Sequence, residues 1–91
     1  MDKLEKVKKL SKKYGATDIK ISKKKNKKYD VLYNNKWISF GDNRYEDFLD
    51  HKNKLRRTNY RRRASKIKNK KGEYTYLNPN SANFWSYNTL W

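Results

Sequence analysis

The chemistry available to this sequence is mainly anion binding, because its ionisable residues are mostly lysines and arginines. Residues 51–72 contain eleven basic side chains and no acidic one. Helix faces that only meet water usually mix both signs, since opposite charges three or four residues apart stabilise a helix. A run of one sign repels itself, and a bound polyanion offsets that cost because counterions are released. The run therefore predicts contacts with nucleic-acid phosphates.

A helical wheel divides the arginines of this run into two sets. Arg56 and Arg63 continue the apolar stripe of the predicted helix, so we expect them to pair with nearby carboxylates or with the C-terminus. The opposite face, which is expected to meet phosphate, carries Lys54, Arg57 and Arg61. A lysine-rich turn earlier in the chain is a second candidate, with a solvated loop as the alternative. In full, the predicted nucleic-acid contacts are Lys54, Arg57, Arg61, Arg62, Lys66 and Lys68, together with Lys23, Lys24, Lys25, Lys27 and Lys28 of the turn.

The sequence contains no recognisable catalytic or metal-binding arrangement. Cysteine is absent and His51 is the only histidine, which excludes cysteine-based zinc sites and sites built from several histidines. The three glycines lie too far apart for a phosphate-binding loop. A magnesium-dependent nuclease stays a remote alternative, although helix capping and ion pairing explain the acidic segment better: Asp42, Glu46, Asp47 and Asp50. We therefore predict a protein that is not an enzyme, binds no cofactor or metal, and uses His51 structurally.

Length and composition favour one small domain. The chain has 91 residues and a formal net charge of +16; only 34% of its residues are hydrophobic, yet 15% are aromatic. Disordered chains are poor in aromatic residues, so we expect a folded domain with a thin core. No apolar run approaches the ~18 residues of a membrane span, and the first residues lack the apolar core of a signal peptide. We expect a protein that is neither secreted nor membrane-bound.

The first half of the chain predicts a helix followed by a three-stranded antiparallel sheet. Apolar residues recur every three or four positions over residues 2–14, and Gly15 can take the left-handed conformation that ends a helix. Alternation of apolar and polar residues predicts three strands, at 17–22, 29–33 and 36–40. Asn34 and Asn35 suit a two-residue hairpin turn. This turn sets three cross-strand pairs: Val31 with Ile38, Tyr29 with Phe40, and Leu32 with Trp37.

The second half predicts a long basic helix and an aromatic tail. Asn43 and Glu46 have the spacing of a capping box, so we expect a helix over residues 44–66. Its apolar stripe consists of Tyr45, Phe48, Leu49 and Leu55. Residues 74–76 alternate like a short strand, and Ser81 should cap a short helix near the end. The predicted fold class is therefore α+β in a single domain of four segments: 1–15, 17–40, 43–66 and an aromatic tail, 73–91, packed on the core.

Most aromatic side chains have the spacing of core residues. We expect five of them in the core: Tyr29, Phe40, Tyr45, Phe48 and Trp85. Tyr33 and Trp37 lie near the predicted hairpin tip, and they are the two aromatic residues that we consider for stacking on nucleic-acid bases.

A set of residues spread over positions 38–91 carries a family resemblance. The set is Phe40-Gly41, Tyr45, Asp47-Phe48, His51-Lys52, Arg56-Arg57, Tyr60 and Arg63, and then Pro79, Ser81, Phe84-Trp85-Ser86 and Leu90-Trp91. In this pattern the chain resembles small basic proteins of large DNA viruses that infect algae and amoebae. The resemblance implies a viral protein with a role in genome packaging or in the virion. The chain has Asn53 and Ala64 where the family pattern has Asp and His, which argues against shared chemistry at those two positions.

Together these observations predict a non-enzymatic, largely sequence-independent DNA-binding protein that neutralises or compacts a viral genome through Lys and Arg contacts to phosphate. Two alternatives stay open: a structural virion protein that acts through its aromatic tail, and an RNA- or ribosome-binding protein. The expected partner is DNA, with RNA, virion proteins or a second copy of the chain as alternatives, and without a membrane or a small-molecule substrate. The expected location is the virion or the virus factory in the infected-cell cytoplasm, with the host nucleus as an alternative.

Overall fold

A three-stranded antiparallel sheet and the helices packed on it make up the fold, and the computed structural model describes residues 2–91. In chain order the elements are α1 (Lys3–Lys13), β1 (Asp18–Ile21), β2 (Lys27–Tyr33), β3 (Lys36–Asp42), α2 (Phe48–His51), α3 (Lys54–Ala64), a 3-10 turn (Thr75–Leu77) and α4 (Ala82–Thr89). The predicted α+β class, the N-terminal helix and the three-stranded sheet are confirmed. Within residues 2–91, no helix is long and apolar enough to cross a membrane.

Helix α1 begins and ends with residues that suit helix ends. The Asp2 carboxylate accepts the backbone N–H of Glu5 at 2.8 Å, which satisfies a donor that the first turn leaves open. Gly15 follows the helix with a φ of +96°, a conformation that glycine adopts without strain. Val7 and Ser11 are buried, whereas most of the lysines are exposed. The predicted helix is confirmed, with one residue fewer at each end.

The hairpin of β2 and β3 has the predicted register: Tyr29 pairs with Phe40, Val31 with Ile38, and Leu32 with Trp37. Asn34 and Asn35 have φ values of 51° and 63°, as a tight two-residue turn requires. β1 pairs with the other side of β2, so the strand order is β1-β2-β3 and both β1 and β3 are sheet edges. On one face of this hairpin the side chains of Tyr29, Val31 and Phe40 are buried.

The core lies between this face of the sheet, α1 and α4. Trp85 of α4 is fully buried, and its indole Nε1 donates to the carbonyl oxygen of Pro79 at 2.7 Å. Leu90 is buried beside it, and Trp91 packs against the same cluster. The predicted packing of the aromatic tail is therefore confirmed. The short strand predicted at residues 74–76 is reduced to one position: Tyr74 forms an isolated antiparallel bridge with Lys68, and Thr75–Leu77 form the 3-10 turn. Two alternating tyrosines are too few to specify a strand.

The basic segment forms two helices where one helix over residues 44–66 is predicted. The break lies at Lys52, whose φ of 57° is left-handed and ends α2. The next residue, Asn53, caps α3, because its side-chain oxygen accepts two backbone N–H groups of the first turn at 3.0 and 3.1 Å. The long basic helix is present as α3, but it begins at Lys54.

The capping box predicted from Asn43 and Glu46 is also wrong. The Asp42 carboxylate accepts the backbone N–H of Arg44 at 3.0 Å and its guanidinium at 2.7 Å, and these bonds hold the following residues in a turn. Helix α2 begins only after Asp47, which is its N-cap. A short polar side chain can satisfy turn and helix donors equally well, so the spacing alone could not show which one it caps.

The predicted apolar stripe is correct at two of its four positions. Phe48 and Leu49 are half-buried, whereas Tyr45 is 67% exposed and Leu55 is 70% exposed. Tyr45 lies in the turn before α2, and Leu55 lies beyond the break at Lys52. The predicted stripe assumed one continuous helix, so it fails at both ends. The core assignment of Tyr45 is wrong.

Candidate nucleic-acid interface

The surface most suited to phosphate lies along α3 and the segment 65–71 that follows it. Nine of the eleven basic residues between positions 51 and 72 are exposed. Within residues 2–91, these basic residues make one ion pair with a carboxylate, a long contact of 3.8 Å between Arg56 and Glu46. Four of the predicted contacts are exposed here and form what we call the basic face: Lys54, Arg62, Lys66 and Lys68.

Arg57 and Arg61 are not part of this face. The Nε atom of Arg57 donates to the main-chain oxygen of Trp91 at 2.7 Å, and Nε and Nη2 of Arg61 donate to the same oxygen at 3.2 and 3.1 Å. Their guanidinium groups also lie over aromatic rings, 4.8 Å from Phe48 and 4.7 Å from Tyr87. The prediction that these two arginines point away from the protein is wrong, because they hold α3 against the tail.

The other two arginines of the helical wheel meet the expectation in part. Arg56 lies 3.8 Å from the carboxylate of nearby Glu46, whereas Arg63 makes no such pair within residues 2–91. Both arginines are exposed and do not continue a buried stripe. The physical reason is the break at Lys52, which changes the direction of α3 relative to the preceding apolar residues. The buried side of α3 is set by its contacts with α4 instead.

Four of the five lysines predicted at the lysine-rich turn are exposed, and one is held in an ion pair. Lys23, Lys24 and Lys25 are exposed in the turn between β1 and β2. Lys27 and Lys28 belong to β2; Lys27 is exposed, but Lys28 is turned inward and its Nζ lies 2.7 Å from Asp47 Oδ2. A lysine held this way cannot serve as a free phosphate contact, so the assignment of Lys28 is corrected to a structural role.

Asp47 is the centre of a charged cluster that joins three elements. Its side chain is 2% exposed, and Oδ2 accepts from Lys3 Nζ of α1 at 2.8 Å and from Lys28 Nζ of β2. Lys3 also pairs with Asp50 at 3.0 Å. Burial by itself raises the pKa of the Asp50 carboxyl, but hydrogen bonds from Lys3 and from the Asp47 N–H outweigh it and hold that pKa below its usual value. The acidic segment therefore anchors lysines.

The same segment shows no metal-binding geometry. Within residues 2–91 there is no group of three or more His, Cys, Asp or Glu side chains that could hold a metal ion. The half-buried Asp42 is paired with Arg44, whose hydrogen bonds lower the pKa of the Asp42 carboxyl to about 2. His51 has structural contacts: Nδ1 accepts the N–H of Asn53 at 2.9 Å, and its ring lies 5.3 Å from that of Trp91.

The two aromatic residues considered for base stacking occupy different environments. Tyr33 is half-buried, with its ring 5.6 Å from that of Trp85, so it belongs to the packing of the core. Trp37 is 45% exposed on the other face of the sheet, and the ammonium of Lys20 lies 4.4 Å from its ring centroid. Of the pair, Trp37 is the one that a base could reach.

Sequence reasoning missed a cleft of about 610 Å³ between α3, α4, the turn after β3 and the adjoining ends of β2 and β3. We call it the α3 cleft. One face of α3 lines it, at a helical spacing of three and four residues: Arg56, Asn59, Tyr60 and Arg63. Tyr60 stacks on Trp91 with ring centroids 4.1 Å apart, and burial raises the pKa of its hydroxyl. The recurrence of Arg56, Tyr60 and Arg63 on one helical face was the available signal.

Comparisons with known proteins give one match. Searches of curated proteins and of solved structures find none. Residues 17–64, which run from the residue before β1 to the last residue of α3, match a family described as a family of unknown function (DUF5754). The stretch includes the sheet, Asp47 with its partner Lys28, and the whole of α3, and it covers more than half of the chain. The chain therefore belongs to the DUF5754 family.

Proposed function

We propose that this protein is a non-enzymatic, largely sequence-independent DNA-binding protein that neutralises and compacts a viral genome. The observation that supports the proposal most is the exposure of nine basic residues between positions 51 and 72, where the sequence has no acid. Of the nine, Arg56 alone lies within 4.0 Å of a carboxylate of the described chain. Side chains placed in this way can meet phosphates without first breaking an ion pair.

The charge distribution also supports a lack of sequence preference. The basic face consists of Lys and Arg at a helix surface and in the irregular segment after it, and lysine contacts a phosphate as a point charge. Contacts of this kind fix position and supply affinity but carry no base information. The viral setting rests on the resemblance of residues 38–91 to small basic proteins of large DNA viruses. A structural virion role through the tail has less support, because Trp85 and Leu90 are already buried within the chain.

The test is a salt titration of binding to a random-sequence DNA duplex, with the triple variant Lys54→Gln, Arg62→Gln, Lys66→Gln. Each lost phosphate contact lowers the slope of log affinity against log salt by about 0.9, so we expect the slope to fall by about 2 to 3. The loss should be similar for all duplex sequences. A matched control, Lys8→Gln, Lys9→Gln, Lys12→Gln on α1, removes the same charge and should change the slope less.

Two results would contradict the proposal. An unchanged slope in the triple variant would show that the basic face makes no phosphate contact. A clear preference for duplex RNA over duplex DNA in competition would favour the RNA-binding alternative, because the two helices differ in groove shape and in the 2′-hydroxyl.

A further inference from the structure

We infer that the α3 cleft is a binding site for a single nucleotide, with the phosphate held by arginine and lysine side chains and the base held against tyrosine. The cleft has a volume of about 610 Å³, within the roughly 300–1,000 Å³ of small-molecule sites. Several elements line it: a face of α3, the turn 42–47, the first residues of β2, and α4 with the residues that follow it. This arrangement differs from the basic face, which is the open surface of the proposed duplex contact.

The charges that line the cleft leave cations available. Two of its three carboxylates are already paired with cations, because Asp42 pairs with Arg44 at 2.7 Å and Oδ2 of Asp47 contacts Lys3 and Lys28. The third, Glu46, has a long contact of 3.8 Å with Arg56. Lys27 and Arg63 also line the cleft, and neither lies within 4.0 Å of a carboxylate in residues 2–91. An anion in the cleft would therefore meet three basic groups and one partly engaged acid.

The aromatic residues of the cleft fit a planar group. Tyr60 and Trp91 form a parallel stack with an angle of 10° between their rings, which gives the site a rigid aromatic wall. Tyr45 also lines the cleft and is 67% exposed, so its ring is accessible to a planar ligand. Stacking on aromatic rings is how proteins commonly hold unpaired bases. A ligand with both a phosphate and a planar base therefore uses both kinds of lining group.

The nucleotide could be free in solution or could be an unpaired residue of a nucleic-acid strand, since both present the same phosphate and base. The inference does not depend on duplex binding by the basic face, because the lining residues of α3 and the members of that face are different. Failure of one assignment therefore leaves the other testable.

The experiment is a titration of the ¹⁵N-labelled full chain, followed by two-dimensional NMR, with AMP, with adenosine and with inorganic phosphate. We expect AMP to shift the Trp91 indole and the Asn59 and Arg63 amides. Because one molecule then makes both contacts, AMP should bind about tenfold more tightly than adenosine or phosphate alone. Arg63→Gln should weaken AMP binding by about tenfold, as expected when a charge-assisted hydrogen bond is lost.

Arg62→Gln and Tyr74→Ala, two variants outside the cleft, serve as controls for Arg63→Gln and Tyr45→Ala inside it. Arg62→Gln removes the same charge at the neighbouring position but is not in the cleft lining, so it should leave AMP binding nearly unchanged. Tyr45→Ala should weaken AMP binding by about fivefold or more through lost stacking and leave inorganic phosphate unaffected, whereas Tyr74→Ala, another exposed tyrosine, should change neither. All four positions are exposed, so the variants are expected to fold.

The outcomes separate clearly. AMP that binds no better than inorganic phosphate would overturn the base contact, and equal effects of Arg62→Gln and Arg63→Gln would overturn the site. Shifts elsewhere in the spectrum without those of Trp91 would do the same. If a duplex with a one-nucleotide overhang binds more tightly than a blunt duplex, and Arg63→Gln removes that difference, the nucleotide belongs to a strand. AMP binding without an overhang effect assigns the site to a free nucleotide.

Discussion

At the scale of single residues, two neighbouring lysines of β2 have opposite roles although their side chains are identical. Lys27 is exposed, while the side chain of Lys28 is 11% exposed and lies against Asp47. A buried carboxylate is costly unless it is paired and hydrogen-bonded. The contact between Lys28 and Asp47 therefore stabilises the junction of α1, β2 and α2, and a positive charge that looked like part of a binding turn belongs to the fold.

This difference makes a prediction of stability. We expect Lys28→Met to lower the free energy of unfolding by about 1.5–3 kcal/mol, the usual effect of losing a hydrogen bond to a charged group, because Lys3 alone then compensates Asp47. The matched variant Lys27→Met removes the same charge from the same strand and should stay within about 0.5 kcal/mol of the natural protein. Urea unfolding of the three proteins measures both values. Equal losses for the two variants would contradict the buried ion pair.

At the scale of elements, the break between α2 and α3 determines where the arginines point. Lys52 has a left-handed backbone and Asn53 caps the next helix, so α3 packs through Arg57, Arg61 and Ala64. The side of α3 that carries Arg56 and Arg63 then lines the cleft. Without the break, the helical phase predicted from Phe48 and Leu49 would have continued into α3. The position of one cap thus separates the arginines that hold the fold from those that are available to a ligand.

The cap itself can be tested. We expect Asn53→Ala to destabilise the protein by about 1 kcal/mol, because two N–H groups at the start of α3 lose their acceptor. The control Asn59→Ala changes an exposed asparagine inside the same helix and should be neutral or slightly stabilising, since alanine has the higher helix propensity. Urea midpoints and amide hydrogen exchange in the first turn of α3 give the comparison. A loss in Asn59→Ala as large as that in Asn53→Ala would argue against the cap.

The sequence was sufficient for elements defined by local patterns and insufficient where tertiary contacts decide. The alternation of apolar and polar residues and the Asn34-Asn35 turn predicted the hairpin register, and Gly15 predicted the end of α1. The break at Lys52 could not be predicted from propensity, because a left-handed lysine is stabilised only by its surroundings. The roles of Arg57 and Arg61 depend on Trp91, thirty-four and thirty residues away. The α3 cleft depends on the same docking and was not predicted.

At the scale of the whole molecule, the net charge of +16 lies on a body of 32 × 30 × 26 Å. At 0.01 M ionic strength the screening length is about 30 Å, so charges repel across the entire protein, whereas at 0.15 M it is about 8 Å. Such self-repulsion destabilises the compact state. Folding and nucleic-acid binding should therefore respond to salt in opposite directions, since added salt weakens phosphate contacts but relieves repulsion.

This opposition can be measured on one preparation. We expect the urea midpoint to rise when sodium chloride increases from about 0.01 to about 0.15 M, while duplex affinity falls steeply over the same range. The variant Lys8→Gln, Lys9→Gln, Lys12→Gln has less charge to screen, so its midpoint should rise less. A midpoint that falls with salt would show that attractive ion pairs, such as those of Asp47, outweigh the net repulsion.

The edge position of β1 gives the lysines around it a consequence for aggregation. An edge strand exposes unpaired backbone groups to which another chain can add a strand, and lysine is a common safeguard against this. Ile21 at the end of β1 is 63% exposed, and Lys20 and the turn lysines Lys23, Lys24 and Lys25 flank it. Replacing these lysines by neutral residues removes a barrier to intermolecular strand pairing. Variants of the turn should therefore be compared for monomer content before any change in binding is assigned to lost phosphate contacts.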